Sequence, residues 1–193
     1  MKLWFIYIAF IVLSSCSTSK KTVRVGKHSN IAVAILNPDS VYYLNLERQK
    51  LTKIPSEIYQ FKNLKELNLS KNKIEVISDS IGLLKNLESL NLSDNKIVTI
   101  PKQIFQINSL THLYLYNNLI DSLPNNFSES SNLEYLNIGS NHISKFPPSI
   151  IKLTKLKTID LKGIQFTELE RNDMGSLLPK TNINISPQCN CLD

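Results

Sequence analysis

The chain has 193 residues, a formal net charge of +6 and a sequence pI near 9.2, with 3 Cys and 5 Gly. Leu (28), Ile (23) and Asn (21) make up about 37 % of it, which is too apolar for a disordered chain. Three Cys cannot build a disulfide scaffold, and five Gly exclude collagen-like or Gly-linker architectures.

The first predicted element is an address. One basic residue, Lys2, precedes an unbroken apolar run from Leu3 to Leu13, then two serines and Cys16. Eleven apolar residues rise only ~16 Å as a helix, short of a ~30 Å bilayer core. Residues 1–15 therefore read as a signal peptide, and no later run reaches spanning length. Leu13-Ser14-Ser15-Cys16 resembles the lipobox of bacterial lipoproteins. That resemblance implies cleavage before Cys16, a diacylglycerol on its thiol and acylation of its amine. Two or more acyl chains hold stably where one holds marginally. The other reading is an ordinary secretory signal beside an incidental Cys. The implied location is the cell envelope, lipid-anchored to a membrane on the periplasmic side or at the cell surface.

Residues 16–29 form a basic tether. Lys20, Lys21, Arg24 and Lys27 lie in it, and the first acid anywhere is Asp39. Beyond the tether, 17 basic residues face all 16 acids, so the body is nearly neutral. The basic pI thus belongs to the signal and tether, either as an anionic-headgroup contact or as a solvated spacer. It gives no ground for a nucleic-acid partner.

The predicted domain spans residues 30–193. Asn30 to Asn37 reads as a short capping helix stopped by Pro38. Six repeats follow from residue 41, led by Val41, Leu64, Leu87, Leu110, Leu133 and Leu156, always 23 residues apart. Seven positions per unit are apolar, at 39 of 42 sites against about 18 expected from a 42 % apolar composition, so chance is no competitor. The misses are Ser130, Asp173 and Ser176. Leu67 and Leu69 alternate with Glu66, Asn68 and Ser70, which predicts a short strand with one buried face. Units stacked at this period place such strands in parallel, ~4.8 Å apart. Pro55, Pro101, Pro124 and Pro147 sit where the chain turns away from the strand, each suited to a first helical position. Ser78 breaks that column. Residues 167–193 complete the domain as a cap, with a charged helix over 167–178 and an apolar alternation at Ile183-Asn184-Ile185.

These units resemble leucine-rich repeats, L-x-x-L-x-L-x-x-N-x-I-x-x-I-P-x-x-I, of the 23-residue class. The resemblance implies an α/β solenoid, a short horseshoe with parallel strands on its concave face. It implies also that the Asn closing each strand turns inward to bond adjacent backbone. That column reads Gln49, Asn72, Asn95, Asn118, Asn141, Ile164, with its departures in the end units.

The concave face of such a solenoid carries three columns. The first is Tyr43, Glu66, Ser89, His112, Tyr135, Thr158; the second Asn45, Asn68, Asn91, Tyr114, Asn137, Asp160; the third Glu47, Ser70, Ser93, Tyr116, Gly139, Lys162. His112, Tyr116 and Tyr135 gather around Tyr114, with Gly139 leaving room beside Tyr116. Large polar-tipped aromatics of this kind dominate protein interfaces. The candidate binding residues are Tyr43, His112, Tyr114, Tyr116, Tyr135 and Asn137, for a protein partner of unidentified kind. The blander reading is a sheet face that favours Tyr for strand propensity.

No catalytic or metal site is expected. His28, His112 and His142 fall on different surfaces, no phosphate-binding Gly loop or nucleophile elbow is present, and no cofactor is implied. Cys189-Asn190-Cys191 allows a metal ligand pair, a strained small-ring disulfide, a link to another chain or a plain tail. The sequence therefore points to a monomeric, membrane-anchored binding module without enzymatic activity. The alternative is an accessory structural or adhesion lipoprotein of the envelope with no dedicated ligand.

Overall fold

The computed structural model describes residues 27–129 and 132–186. Cys16, the signal segment, most of the tether, Ser130, Cys189 and Cys191 lie outside them. Eight parallel strands form one open sheet in chain order: β1 (Lys27–His28), β2 (Tyr43–Asn45), β3 (Glu66–Asn68), β4 (Ser89–Asn91), β5 (His112–Tyr114), β6 (Tyr135–Asn137), β7 (Thr158–Asp160) and β8 (Asn182–Asn184). The fold is an α/β solenoid with this sheet running along its concave side. Among the described residues no helix is long and apolar enough to cross a membrane.

The register follows the repeat. Leu44, Leu67, Leu90, Leu113, Leu136 and Ile159 stand opposite one another, each a buried centre between more exposed flanks. Period-two alternation allows one inward side chain per three-residue strand, and here it is always Leu or Ile. Behind the sheet these side chains meet the rest of the apolar template. Phe61, Phe105 and Phe127 are the largest fully buried side chains, and Phe105 meets Phe127 edge to face at 5.1 Å.

The return path is a series of five-residue 3-10 helices, Ser56–Gln60, Asp79–Leu83, Lys102–Gln106, Asn125–Glu129 and Pro148–Lys152. One tight turn is all the repeat length allows. Pro55, Pro101 and Pro147 precede these helices as N-caps instead of taking the first helical position, with extended ψ of 132°, 141° and 140°. Their carbonyls accept the N–H three residues on, at 3.0–3.2 Å. Ser78 keeps the same backbone bond and adds a side-chain cap, its Oγ accepting Ser80 N–H at 3.2 Å. A hydroxyl thereby replaces the fixed ring without breaking the turn.

Four asparagines tie the units together. Asn72, Asn95, Asn118 and Asn141 are buried. Asn95 shows the pattern: its Nδ2 donates to the carbonyls of Leu92 and Ser93 in its own unit and Leu69 in the preceding one, at 2.9, 3.2 and 3.1 Å. Its Oδ1 accepts Ile74 N–H, also of the preceding unit, at 3.0 Å. The other three repeat this circuit. A buried amide with every polar atom satisfied stabilises the turn; one left open would destabilise it.

The residue just before each ladder position adopts a left-handed conformation: Arg48, Lys71, Asp94, Asn117 and Ser140 have φ between 50° and 58°, and Gly163 has φ 80°. The N–H groups of Arg48 through Ser140 bond the next unit's backbone at 2.7–3.1 Å. The sheet thus imposes a conformation that most of these residue types disfavour by about 1 kcal/mol.

The N-terminal end differs from expectation. Lys27 and His28, placed by sequence in the tether, form β1 and pair in parallel with Tyr43 and Leu44. The N-terminal helix α1 covers only Ile31–Ala34, shorter than the expected 30–37, with Asn30 Oδ1 capping Ala32 N–H at 2.8 Å. Pro38 forces Asn37 away from helical geometry, and the chain passes into a 3-10 turn at Pro38–Ser40. At the other end the chain forms α2 (Glu168–Leu177) within the charged stretch, and β8 begins one residue ahead of the Ile183–Ile185 alternation. Thr167 and Glu170 cap each other's backbone N–H groups.

Candidate functional site

Strand register fixes two of the three concave columns. Tyr43, Glu66, Ser89, His112, Tyr135 and Thr158 pair in sequence, as do Asn45, Asn68, Asn91, Tyr114, Asn137 and Asp160. β8 extends these rows with Asn182 and Asn184.

Three of the candidate side chains form one cluster. His112 and Tyr135 are direct cross-strand neighbours with ring centroids 6.1 Å apart. Tyr114 lies 5.1 Å from Tyr135 and 6.4 Å from His112. His112 is nearly parallel to both tyrosines, and each ring is only partly exposed. Such contacts hold aromatic side chains in fixed rotamers, so little ordering remains to be done on binding.

Thr111 anchors the His112 ring to the sheet: its hydroxyl lies 3.0 Å from the Glu88 carbonyl and 2.9 Å from His112 Nδ1. Burial, then the neighbouring Tyr135 and Glu66, push the Tyr114 phenol above the usual tyrosine range, so it stays a neutral O–H donor.

The other candidates stand apart from this cluster. Tyr116 is 38 % exposed and makes no ring contact among the described residues. Gly139 does not serve to leave room beside it. A Cβ at Gly139 would collide with the Lys162 backbone carbonyl, so close approach of the next strand excludes a side chain there. Asn137 faces Tyr114 across β5 and β6, and its Oδ1 accepts Gly139 N–H at 3.2 Å. Tyr43 lies on β2, three strands from Tyr114.

Tyr43 and Tyr114 instead bound a shallow trough of about 310 Å3, lined also by Asn45, Asn68 and Asn91 with Glu66 and Ser89. Sequence reading marked the asparagine row but not its role in a depression. The signal was the unbroken run of one residue type in the middle column. On the neighbouring rim Lys71 bonds Glu47 at 2.9 Å and holds its carboxyl below the usual range. The face as a whole offers aromatic contact and hydrogen bonding. Among the described residues no three His, Cys, Asp or Glu side chains gather as a metal site.

Comparison with known proteins agrees with this architecture. Residues 39–97 and 85–143 match the leucine rich repeat family, and residues 131–172 match the family of paired leucine rich repeats. A leucine-rich repeat protein of Leptospira interrogans superposes with a TM-score of 0.67 at 31 % identity, over 82 % of this chain and 46 % of that one. An internalin of Listeria monocytogenes gives a TM-score of 0.60 at 21 % identity, over 82 % and 53 %. The chain spans about half the length of these two structures. No curated protein matches it.

Proposed function

Because the chain belongs to the leucine-rich repeat family, we infer that it is a binding module, held at a membrane by lipidated Cys16, whose concave face engages a protein partner around Tyr114. Repeats of this family generally bind protein partners and are typically non-enzymatic. The observation that carries the reading is the interlocked group of His112, Tyr114 and Tyr135 at the middle of the sheet. It combines large contact area, few free rotors and polar tips in a face of low charge. The membrane part rests on the Leu13–Cys16 sequence and the basic tether behind it.

Quantitative capture with the full-length chain tests both parts. One saturable partner is expected, and Tyr114→Ala should weaken it by about 2 kcal/mol, roughly thirtyfold, at nearly unchanged Tm. Unchanged affinity would remove the site from this cluster. Cys16→Ala should abolish incorporation of labelled fatty acid and membrane fractionation, and a mutant that still fractionates like wild type would end the lipoprotein reading.

A further inference from the structure

Asn45, Asn68 and Asn91 stand side by side on β2, β3 and β4. Each ends its strand in one way: Oδ1 accepts the N–H two residues on, from Glu47 at 3.1 Å, Ser70 at 3.0 Å and Ser93 at 3.0 Å. The fold requires only that oxygen. Asp160, in the same column on β7, does the same for Lys162 N–H at 3.0 Å with a carboxylate. The Nδ2 groups of the three asparagines have no acceptor among the described residues, unlike those of the ladder asparagines, which are fully bonded. Three amide groups, with two N–H donors apiece, therefore line the trough floor at strand spacing, about 4.8 Å.

The chemistry of the trough narrows what it can take. Its lining holds no Lys or Arg, and Glu66 is its one charge, so it does not suit a polyanion. An extended peptide repeats its like-facing carbonyls every second residue, about 6.6 Å, out of step with donors about 4.8 Å apart. A chain of neutral pyranose sugars advances by close to one strand spacing per ring. Its hydroxyls accept from amide N–H groups and donate to carboxylate or hydroxyl oxygens such as those of Glu66 and Ser89. Its C–H faces stack on aromatic rings, which Tyr43 and Tyr114 provide at the two ends. We propose that the trough from Tyr43 to Tyr114 is a binding site for a neutral oligosaccharide, with the amides of Asn45, Asn68 and Asn91 as its hydrogen-bond donors. This site goes beyond the protein contact inferred above, which is centred on Tyr114 packed with His112 and Tyr135, and only Tyr114 of that cluster is common to both.

The test titrates the full-length chain in lipid nanodiscs with cello-, chito-, xylo- and mannohexaose, and with a heparin-derived sulfated hexasaccharide. At least one neutral hexasaccharide should bind with a Kd below about 1 mM, and the sulfated one should bind more weakly. Asn68→Asp keeps the turn-closing oxygen and removes the donors, so it should weaken sugar binding at least about tenfold at nearly unchanged Tm. Asn91→Asp gives the same reading should the first variant misfold. His112→Ala should leave the sugar within about twofold, while lowering protein capture. No neutral binding up to about 5 mM, equal binding by both Asp variants, or preference for the sulfated sugar would each overturn the proposal. Loss of protein capture in His112→Ala is read separately, so failure of one site does not decide the other.

Discussion

The interior units and the two ends of this solenoid bury the same kinds of side chain but close their turns differently. Inside, Asn72, Asn95, Asn118 and Asn141 each complete a four-bond circuit that reaches the preceding unit. At the ends the column holds Gln49, which is exposed, and Ile164, which is buried. The first unit has no complete unit before it to bond. The last swaps the amide for an apolar side chain and closes with Gly163, whose N–H bonds Ser186 Oγ at 2.9 Å. The amide is therefore a joint to the preceding unit: the first unit has no complete unit behind it to join, and the last packs onto the fifth without an amide.

The largest way to break that contrast is Asn95→Ala. It leaves the buried Ile74 N–H without its acceptor, while the Leu69, Leu92 and Ser93 carbonyls keep Asn72, Asn118 and the Lys71 N–H as donors, and should destabilise by about 2–3 kcal/mol in denaturant unfolding. Gly139→Ala tests the close approach of the turns that follow β6 and β7. Its Cβ would strike the Lys162 carbonyl, and the expected loss is about 2 kcal/mol by the same measurement. At the C-terminal cap the sign reverses. A Cβ on Gly175 in α2 meets nothing within 4 Å, so Gly175→Ala should stabilise by about 0.5–1 kcal/mol, read as a higher Tm.

A smaller effect is expected from pH. Bonds from the Thr167 backbone N–H and hydroxyl hold the Glu170 carboxyl below the usual glutamate range. The folded value is the lower one, so the cap contributes above the ordinary glutamate pKa and is lost as pH falls through the folded value. Amide protection factors across residues 168–177 should drop between about pH 6 and about pH 3, and Glu170→Gln should flatten that dependence. Smallest of all, Gln49→Ala should leave stability within about 0.5 kcal/mol, since the residue is exposed. A loss as large as that of Asn95→Ala would erase the distinction between joint and end.

Repetition made the interior legible. Leu67 alone is an apolar residue between polar ones, but the same residue class at 44, 90, 113, 136 and 159 defines a strand, a register and a face. The concave columns followed at once, and with them the residues of the aromatic cluster. What stayed hidden has no such multiplication. β1 is two residues long and lies outside the 23-residue period, and α1 stops where local sterics at Pro38 override an apolar run. The left-handed column carries Arg, Lys, Asp, Asn, Ser and Gly because cross-unit backbone bonds impose the conformation, so no residue type betrays it. Ring packing is likewise invisible in sequence: the columns place Tyr116 and His112 equally near Tyr114, yet ring contact joins only His112 and Tyr135 to it.

The direction of the amide joints bears on how the molecule is made. Every ladder asparagine reaches backward, so the N–H of Ile74 waits for Asn95 and that of Ile97 for Asn118. In a chain delivered N-terminus first, each newly emerged asparagine completes the unit before it, up to the unit that Asn141 completes; beyond it Ile164 offers no amide.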